Sequence, residues 1–468
     1  MTEYQKFLQS KQKAVINSGF EITLDDIHHN LFDFQKAIVK WALHRGRAAV
    51  FADTGLGKTI VQCEWADHVQ FETKGKVLIV APLAVAHQTV REAKKLLGID
   101  IQYCRHQDEI TSEIIITNYE MLDKFDMDQF VGIVLDESSI LKSKTGKYRT
   151  NLIENCRHIP YKLSCTATPS PNDFTELGNQ SDFLGVMNQS EMLAMFFTLD
   201  STPTKNGQGT STWRLKGHGK IRFYEWMAEW ACVIRKPSDL GFCDDGYDLP
   251  GLNLIDHVVE SPVKFGLFAS QAMTLSERRT AKRETMQLRC QMAADMVNES
   301  DEMWIVWCHL NDEQAMLKQM INRDSCASVQ GSDKDENKED RLIGFSDGKY
   351  KVLISKPSIA GFGMNFQLSH NMVFVGMDDS FEKWYQAVRR QYRFGQTEKV
   401  NAHIIMAESE GSVKANIKRK QDQHNDLSAS MIGHMKKIMQ DNVLGSYSKS
   451  NDYNPDKKME LPFFVVNS

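Results

Sequence analysis

Short apolar runs recur along the chain in two blocks, each separated from the next by a stretch of helical periodicity. The first block carries runs at 48–52, 76–81, 113–117, 131–136 and 161–165, with amphipathic stretches at 58–70 and 85–97 between them. The second block carries runs at 303–308, 326–330, 351–355, 372–377 and 400–406. Continuous rather than alternating apolar runs predict strands buried on both faces, and strand–helix alternation predicts parallel sheets flanked by helices. Ligand-binding loops are then expected at the strand ends. Between the blocks the pattern breaks. "DSTPTKNGQGTST" (200–212) is small and polar and predicts a mobile loop; "RKPSDLGFCDDGYDLPGLN" (235–253), rich in Pro, Gly and Asp, predicts a connector. A charged helical stretch (276–297) leads into the second block. Near the end, Met431, Met435, Ile438 and Met439 fall at helical spacing and predict a tail helix packed on one of the lobes.

Composition refines this picture in few places. At 468 residues the chain exceeds one ordinary core. A net charge of −5 predicts no polyanion partner from bulk charge, although one basic cleft on an acidic body is compatible with it. Nine scattered cysteines without a C-x-x-C pair predict reduced thiols rather than a disulfide framework or a zinc site. Cys308-His309 reads as the end of a buried strand. The polar N-terminal segment lacks the apolar region of a signal peptide, and no run reaches membrane-spanning length, so a soluble, cytoplasmic protein without membrane partners is expected.

Chemistry enters at "ADTGLGKT" (52–59), an A-x-x-x-x-G-K-[ST] sequence between a predicted strand and a predicted helix. That context is the one a phosphate-binding Walker loop needs. Thr54, Gly55 and Gly57 shape the loop, Lys58 is placed for the β- and γ-phosphates of ATP, and the Thr59 hydroxyl for a magnesium ion. "VLDESS" (134–139) delivers Asp136 to a strand end, where it can hold the same metal, with Glu137 beside it to orient and deprotonate the attacking water. "TAT" (166–168) follows a third strand and precedes Pro169, so its hydroxyls sit in a fixed turn near those carboxylates.

In this order, the Walker loop, D-E-x-x box and T-A-T triplet resemble those of superfamily II helicases. "LFDFQKAIVKWAL" (31–43) resembles their adenine-contacting segment, which implies that Gln35 contacts the base. Residues 77–95 and 114–122 resemble the segments that grip the nucleic-acid backbone. In the second block, "GFGMNF" (361–366) precedes "QAVRRQYRFGQ" (386–396). Arg390 and Arg393 are three apart, on one face if the segment is helical, and an arginine reaching across a cleft accelerates phosphoryl transfer by roughly 10³–10⁵. These two segments are similar to motifs V and VI of the Snf-type branch, especially its compact bacteriophage and prophage members. The likeness runs from about residue 31 to 420.

The resemblance implies an α/β fold with two RecA-like lobes, each a parallel β-sheet flanked by helices, and an ATP site in the cleft between them. Residues 1–235 would form the N-terminal lobe, 236–262 a connector, and 263–468 the C-terminal lobe with a helical tail. It implies Gly363 and Asn365 in the motif facing the nucleotide, and Gln386, Arg390 and Arg393 in the arginine motif. The implied function is a DNA-dependent ATPase, using magnesium, that translocates along DNA, duplex favoured, with helicase or branch-migration activity as a further capacity, as a monomer in phage DNA metabolism. A motor subunit of a restriction or modification assembly and an RNA helicase are the alternatives. The chain departs from the Snf pattern at Ser139, where relatives carry His, and at T-A-T in place of T-G-T; its Walker loop reads like the A-x-T-G-x-G-K-T of DEAD-box enzymes. Trp213, Arg214 and Lys216 are candidates to stack on or pin a strand, or else to anchor their loop.

Overall fold

The computed structural model describes residues 18–142, 147–170, 173–202, 210–260, 283, 285–360, 364–376, 380–407 and 411–444. Its first sheet contains β1 (Arg47–Ala52), β2 (Lys76–Ala81), β3 (Gln102–Tyr103), β4 (Ile114–Asn118), β5 (Phe130–Asp136), β6 (Tyr161–Cys165) and β9 (Ala231–Ile234). They run in the order β3-β4-β2-β5-β6-β1-β9, every pair parallel. Two strands between β6 and β9, β7 (Phe197–Thr202) and β8 (Thr210–Leu215), pair antiparallel as a separate hairpin. The second sheet has the order β10-β15-β14-β11-β13-β12, again all parallel. It comprises β10 (Leu252–Val259), β11 (Trp304–Trp307), β12 (Cys326–Ser328), β13 (Val352–Ser355), β14 (Asn371–Val375) and β15 (Val400–Ala407). Helices cover the sheets; those used below are α1 (Asp33–Arg45), α2 (Lys58–Thr73), α3 (Leu83–Leu97), α4 (Lys220–Trp230), α5 (Phe381–Val388) and α6 (Gly411–Val443). Two parallel α/β lobes are thus present, as expected.

Burial explains why the runs became strands. All five residues of Ala48–Ala52, Val77–Ala81 and Ile114–Asn118 are buried, because helices lie on both faces of the sheet. The second sheet separates two apolar layers. Trp307, Phe345, Phe366 and Phe374 lie in one; Ala293, Leu317, Val352 and Ile405 lie in the other.

Four expectations change. Leu252–Val259, inside the expected connector 236–262, is an edge strand of the second sheet, paired along its length with β15. Polar Asn253, Asp256 and His257 interrupt it, and Leu254 and Val258 are exposed, so it offers no continuous apolar run. Ala231–Ile234 is a buried strand that was too short to stand out, at four residues. The stretch 200–212, expected as a loop, has strand pairing at both ends, while 203–209 lies outside the described residues. Finally, the tail helix α6 leaves the second lobe but packs on the first. Ile417 sits in the second-lobe core, whereas Met431, Met435, Met439 and Val443 sit in the first. At 1.5 Å per residue, the 18 residues from Ile417 to Met435 span about 27 Å, so α6 bridges the lobes. Tyr224 of α4 receives it, its hydroxyl 2.9 Å from Ser430 Oγ and its ring stacked on His434.

Candidate active site between the two lobes

The Walker loop leaves the end of β1 and enters α2 at Lys58. Two glycines make its path possible. Gly55 has φ +94°, and a Cβ there would meet Phe394 N at 2.9 Å; Gly57 has φ +77°, and its Cβ would meet Gln35 Nε2 at 2.3 Å. Both positive φ and close approach therefore demand glycine. Gln35 is buried on the first turn of α1, donating to Leu56 O at 3.0 Å and accepting from Phe32 N at 3.0 Å. The expected base-contacting glutamine thus lies against the loop itself. Lys58 Nζ is turned onto the loop, 2.8 Å from Ala52 O and 3.3 Å from Asp53 O. Burial pulls its pKa down, opposed by the carboxylates of Glu137, Asp136 and Asp53.

β5 brings the acidic pair to the same place, because its Asp136 pairs in register with Cys165 of β6 beside β1. Asp136 Oδ1 accepts from Gln62 Nε2 at 2.8 Å, and its carbonyl accepts from the Tyr119 hydroxyl at 2.6 Å. Glu137 has φ +54°, a left-handed conformation that non-glycine residues rarely adopt. Burial pushes the Glu137 carboxyl up to about 6, with neighbouring Asp136 adding to the rise and Lys58 and Arg390 opposing it. Asp136 is raised as well, again chiefly by burial. Thr166 Oγ1 donates to Glu137 Oε2 at 3.4 Å and accepts from Thr168 N at 3.1 Å, so the T-A-T turn does abut the acidic pair.

The arginine motif differs from a single helical face. α5 ends at Val388, and Arg390 and Arg393 lie in the turns that follow. The chain there is fixed by Gln396 Nε2, which donates to Gln367 O, Ser369 O and Gln391 O. Arg390 is buried; it donates to Gln386 O at 3.1 Å, Gln386 Oε1 at 2.8 Å and Met364 O at 3.2 Å. Its contacts are within its own lobe, yet its charge lies near Glu137 and Asp136. Burial and Arg393 depress its pKa to about 10, with those carboxylates opposing. Arg393 stands beside Gly55 of the Walker loop, and its buried Nε has no partner among the described residues. Gln386 Nε2, Thr54 Oγ1 and Gln62 Oε1 are buried and unpartnered in the same sense. Asn365 bonds to Gln367. Gly363 lies outside the described residues.

Sequence reasoning missed the residues that join the lobes here. Arg389, directly before Arg390, ion-pairs with Asp53 of the Walker loop, and Tyr385 Oη donates to Asp53 Oδ1 at 2.8 Å. Lys142, at the end of the turn following the D-E-S-S box, pairs with Glu382 in the first turn of α5. Phe32, Phe394 and Tyr247 meet across the cleft beside Gln35, Tyr247 and Phe394 stacking with centroids 4.5 Å apart. The only prior signal was a third arginine in "VRRQYR", which spacing alone could not rank.

Orphaned polar groups and buried carboxylates suit a magnesium–nucleotide complex. Thr54 Oγ1 and Arg393 Nε are buried polar atoms without hydrogen-bond partners among the described residues, beside a phosphate-type loop, and Asp136 and Glu137 are acids whose burial needs a compensating positive charge. The two residues that the sequence suggests as metal ligands, Thr59 and Asp136, stand in the first turn of α2 and at the end of β5. Of the segments expected to grip nucleic acid, β2 and β4 lie side by side, with Ala81 opposite Asn118. Arg214 and Lys216 are engaged by their own chain, through Asp200 and through the carbonyls of Ala194 and Met195, whereas Trp213 faces Leu199 across the hairpin, both side chains exposed. Among the described residues, no helix is long and apolar enough to cross a membrane, and all nine cysteines are free.

The model of the DEAD/DEAH box helicase family matches residues 32–177, and that of the helicase conserved C-terminal domain matches residues 287–395. The DNA annealing helicase and endonuclease ZRANB3 of Bos taurus is 21% identical over 82% of this chain and 39% of its own length. Thus the chain spans about two fifths of that relative. A protein designated p41 from Acyrthosiphon pisum secondary endosymbiont phage 1 is 25% identical over 80% of this chain and 92% of its own. A solved Sulfolobus solfataricus SWI2/SNF2 ATPase core in complex with dsDNA aligns with 91% of this chain and 99% of its own, at 17% identity and a TM-score of 0.42.

Proposed function

We propose that this chain, an ATP-hydrolysing enzyme of the helicase or translocase kind with DEAD/DEAH-box and helicase C-terminal domains, is a superfamily II helicase of Snf type that translocates along double-stranded DNA. The observation that carries the reading is the convergence of Lys58, Asp136 and Glu137 from one lobe with Arg390 and Arg393 from the other. A site completed only when two lobes meet couples hydrolysis to their movement. DNA as the track is supported by the name of the 21%-identical relative, a DNA annealing helicase. A role in phage DNA metabolism, inside the host cytoplasm, is supported by the phage protein that matches over 92% of its length.

In this reading Lys58 and the amides of the Gly55–Gly57 turn hold the β- and γ-phosphates, and Gln35 meets the base. Thr59 and Asp136 hold magnesium, which supplies positive charge to the phosphate oxygens. Glu137 takes a proton from the attacking water, oriented by Thr166. Arg393, with an uncommitted Nε, meets the phosphates from the second lobe, while Arg390 fixes that turn and offsets the acidic pair.

The test is ATP turnover with duplex DNA, single strands and RNA, beside triplex-displacement and strand-displacement assays. Duplex DNA is expected to stimulate turnover most and to support triplex displacement, and Lys58→Ala or Glu137→Gln to abolish turnover while DNA binding persists. Absence of stimulation by any nucleic acid sinks the proposal, and stimulation by RNA alone replaces DNA with RNA as the track.

A further inference from the structure

Asp53 places an acidic side chain in a loop shaped for phosphates, two residues before Gly55. A carboxylate there repels a polyphosphate unless another group neutralises it. The cation nearest in sequence, Lys58, turns its ammonium onto the carbonyls of Ala52 and Asp53. Neutralisation comes from the other lobe instead. Arg389 ion-pairs with Asp53 Oδ2, while Oδ1 accepts from Tyr385 Oη at 2.8 Å and Thr54 N at 2.7 Å. The two charged side chains are only 13% and 11% exposed, so water and salt screen the pair little.

Arg389 is itself held facing the loop. Its Nε donates to the Tyr385 hydroxyl at 3.3 Å and its Nη1 to Tyr392 O at 3.3 Å. Its guanidinium carbon lies 5.4 and 5.5 Å from the ring centroids of Tyr385 and Tyr392. Unlike Arg393, whose Nε is uncommitted, Arg389 has its donors engaged by Asp53 and the two tyrosines.

We propose that Arg389, oriented by Tyr385, is a positioning residue for the ATPase reaction: it neutralises Asp53, and so makes tight nucleotide binding by the Walker loop conditional on the second lobe being seated. The inference rests on the reading of that loop as the ATP site. With the lobes apart, Asp53 loses Arg389, its charge is no longer cancelled from the second lobe beside the phosphates, and ATP binds weakly. With the lobes together, the carboxylate is cancelled and the loop is set. By linkage, ATP then favours closure as much as closure favours ATP.

A double-mutant cycle on the full chain tests this, with the dissociation constant for ATP and the turnover number measured separately. Arg389→Ala is expected to weaken ATP binding about tenfold, with turnover at saturation changed less than about threefold. Asp53→Asn removes the charge that needs cancelling and should bind ATP near the wild-type level. In that background Arg389→Ala should have little further effect, within about twofold. Arg389→Lys should recover most of the affinity by restoring the charge. Additive effects in the cycle, a lysine variant no better than alanine, or an Arg389→Ala variant with normal affinity and collapsed turnover each overturn the proposal. A variant that merely misfolds lowers the melting temperature and is not rescued by Asp53→Asn, which also counts against it. Lys58→Ala with undiminished ATP affinity refutes the site itself; the cycle, run with Lys58 intact, speaks only to Arg389.

Discussion

The acidity of Glu137 sets a measurable pH dependence. Burial, with Asp136 beside it, raises its carboxyl to about 6 from an ordinary 4.5. A general base acts only when ionised, so raising the pKa moves the acid limb of the rate profile upward. At pH 5 a carboxyl of pKa 6 is about one tenth ionised, whereas an ordinary glutamate is about three quarters ionised. The quantity that reports the free enzyme is kcat/KM, because magnesium and nucleotide alter the charge balance once bound. We therefore expect kcat/KM for ATP, with saturating DNA, to fall about tenfold between its plateau and pH 5. Thr166→Ala removes a hydroxyl that donates to Glu137 at 3.4 Å and favours its ionised form. It should shift the limb upward by about 0.5 unit, since so long a hydrogen bond contributes less than about 1 kcal/mol. Titration of the nucleotide itself is indifferent to Thr166, so a limb that moves belongs to the protein. A profile flat to pH 5, or a limb near 4.5, would show that the burial of Glu137 is not felt by the reaction.

Two further outcomes follow from the lobe interface. Arg393→Ala should cut turnover by roughly 10³-fold with little change in ATP affinity, as for a group acting on the transferring phosphoryl; unchanged turnover in a steady-state ATPase assay removes it from that role. Met435→Ala should destabilise the chain by about 2–5 kcal/mol, because its side chain is fully buried where α6 docks on the first lobe. Chemical denaturation measures the loss, and an effect below about 1 kcal/mol would mean that the helix is not held there.

The lobes were readable because their strands are continuous apolar runs, and burial on both faces of a parallel sheet leaves that mark in the sequence. The strands of residues 231–234 and 252–259 left none: the first is four residues long, and the second is a half-exposed edge broken by polar residues, whose partners lie 148 residues away, as Asn253 to Asn401. The Walker loop and acidic box were equally legible, since phosphate-binding geometry depends on a few adjacent residues, notably Gly55 and Gly57. Arg390 and Arg393 were legible as a motif but not in their contacts.

By itself, then, the sequence determined the two parallel lobes, the Walker loop, the acidic pair and the helical-tail pattern, because each is written in neighbouring residues with a fixed period or spacing. Tertiary structure alone decided three things. It chose Arg389, among three arginines within five residues, as the one that meets Asp53 across the cleft. It laid the tail helix on the first lobe instead of the second, through Met431, Met435 and Met439. It also raised the pKa of Glu137 by enclosing it beside Asp136. Charge pairing and desolvation depend on distances between segments up to some 340 residues apart, and no local pattern encodes them.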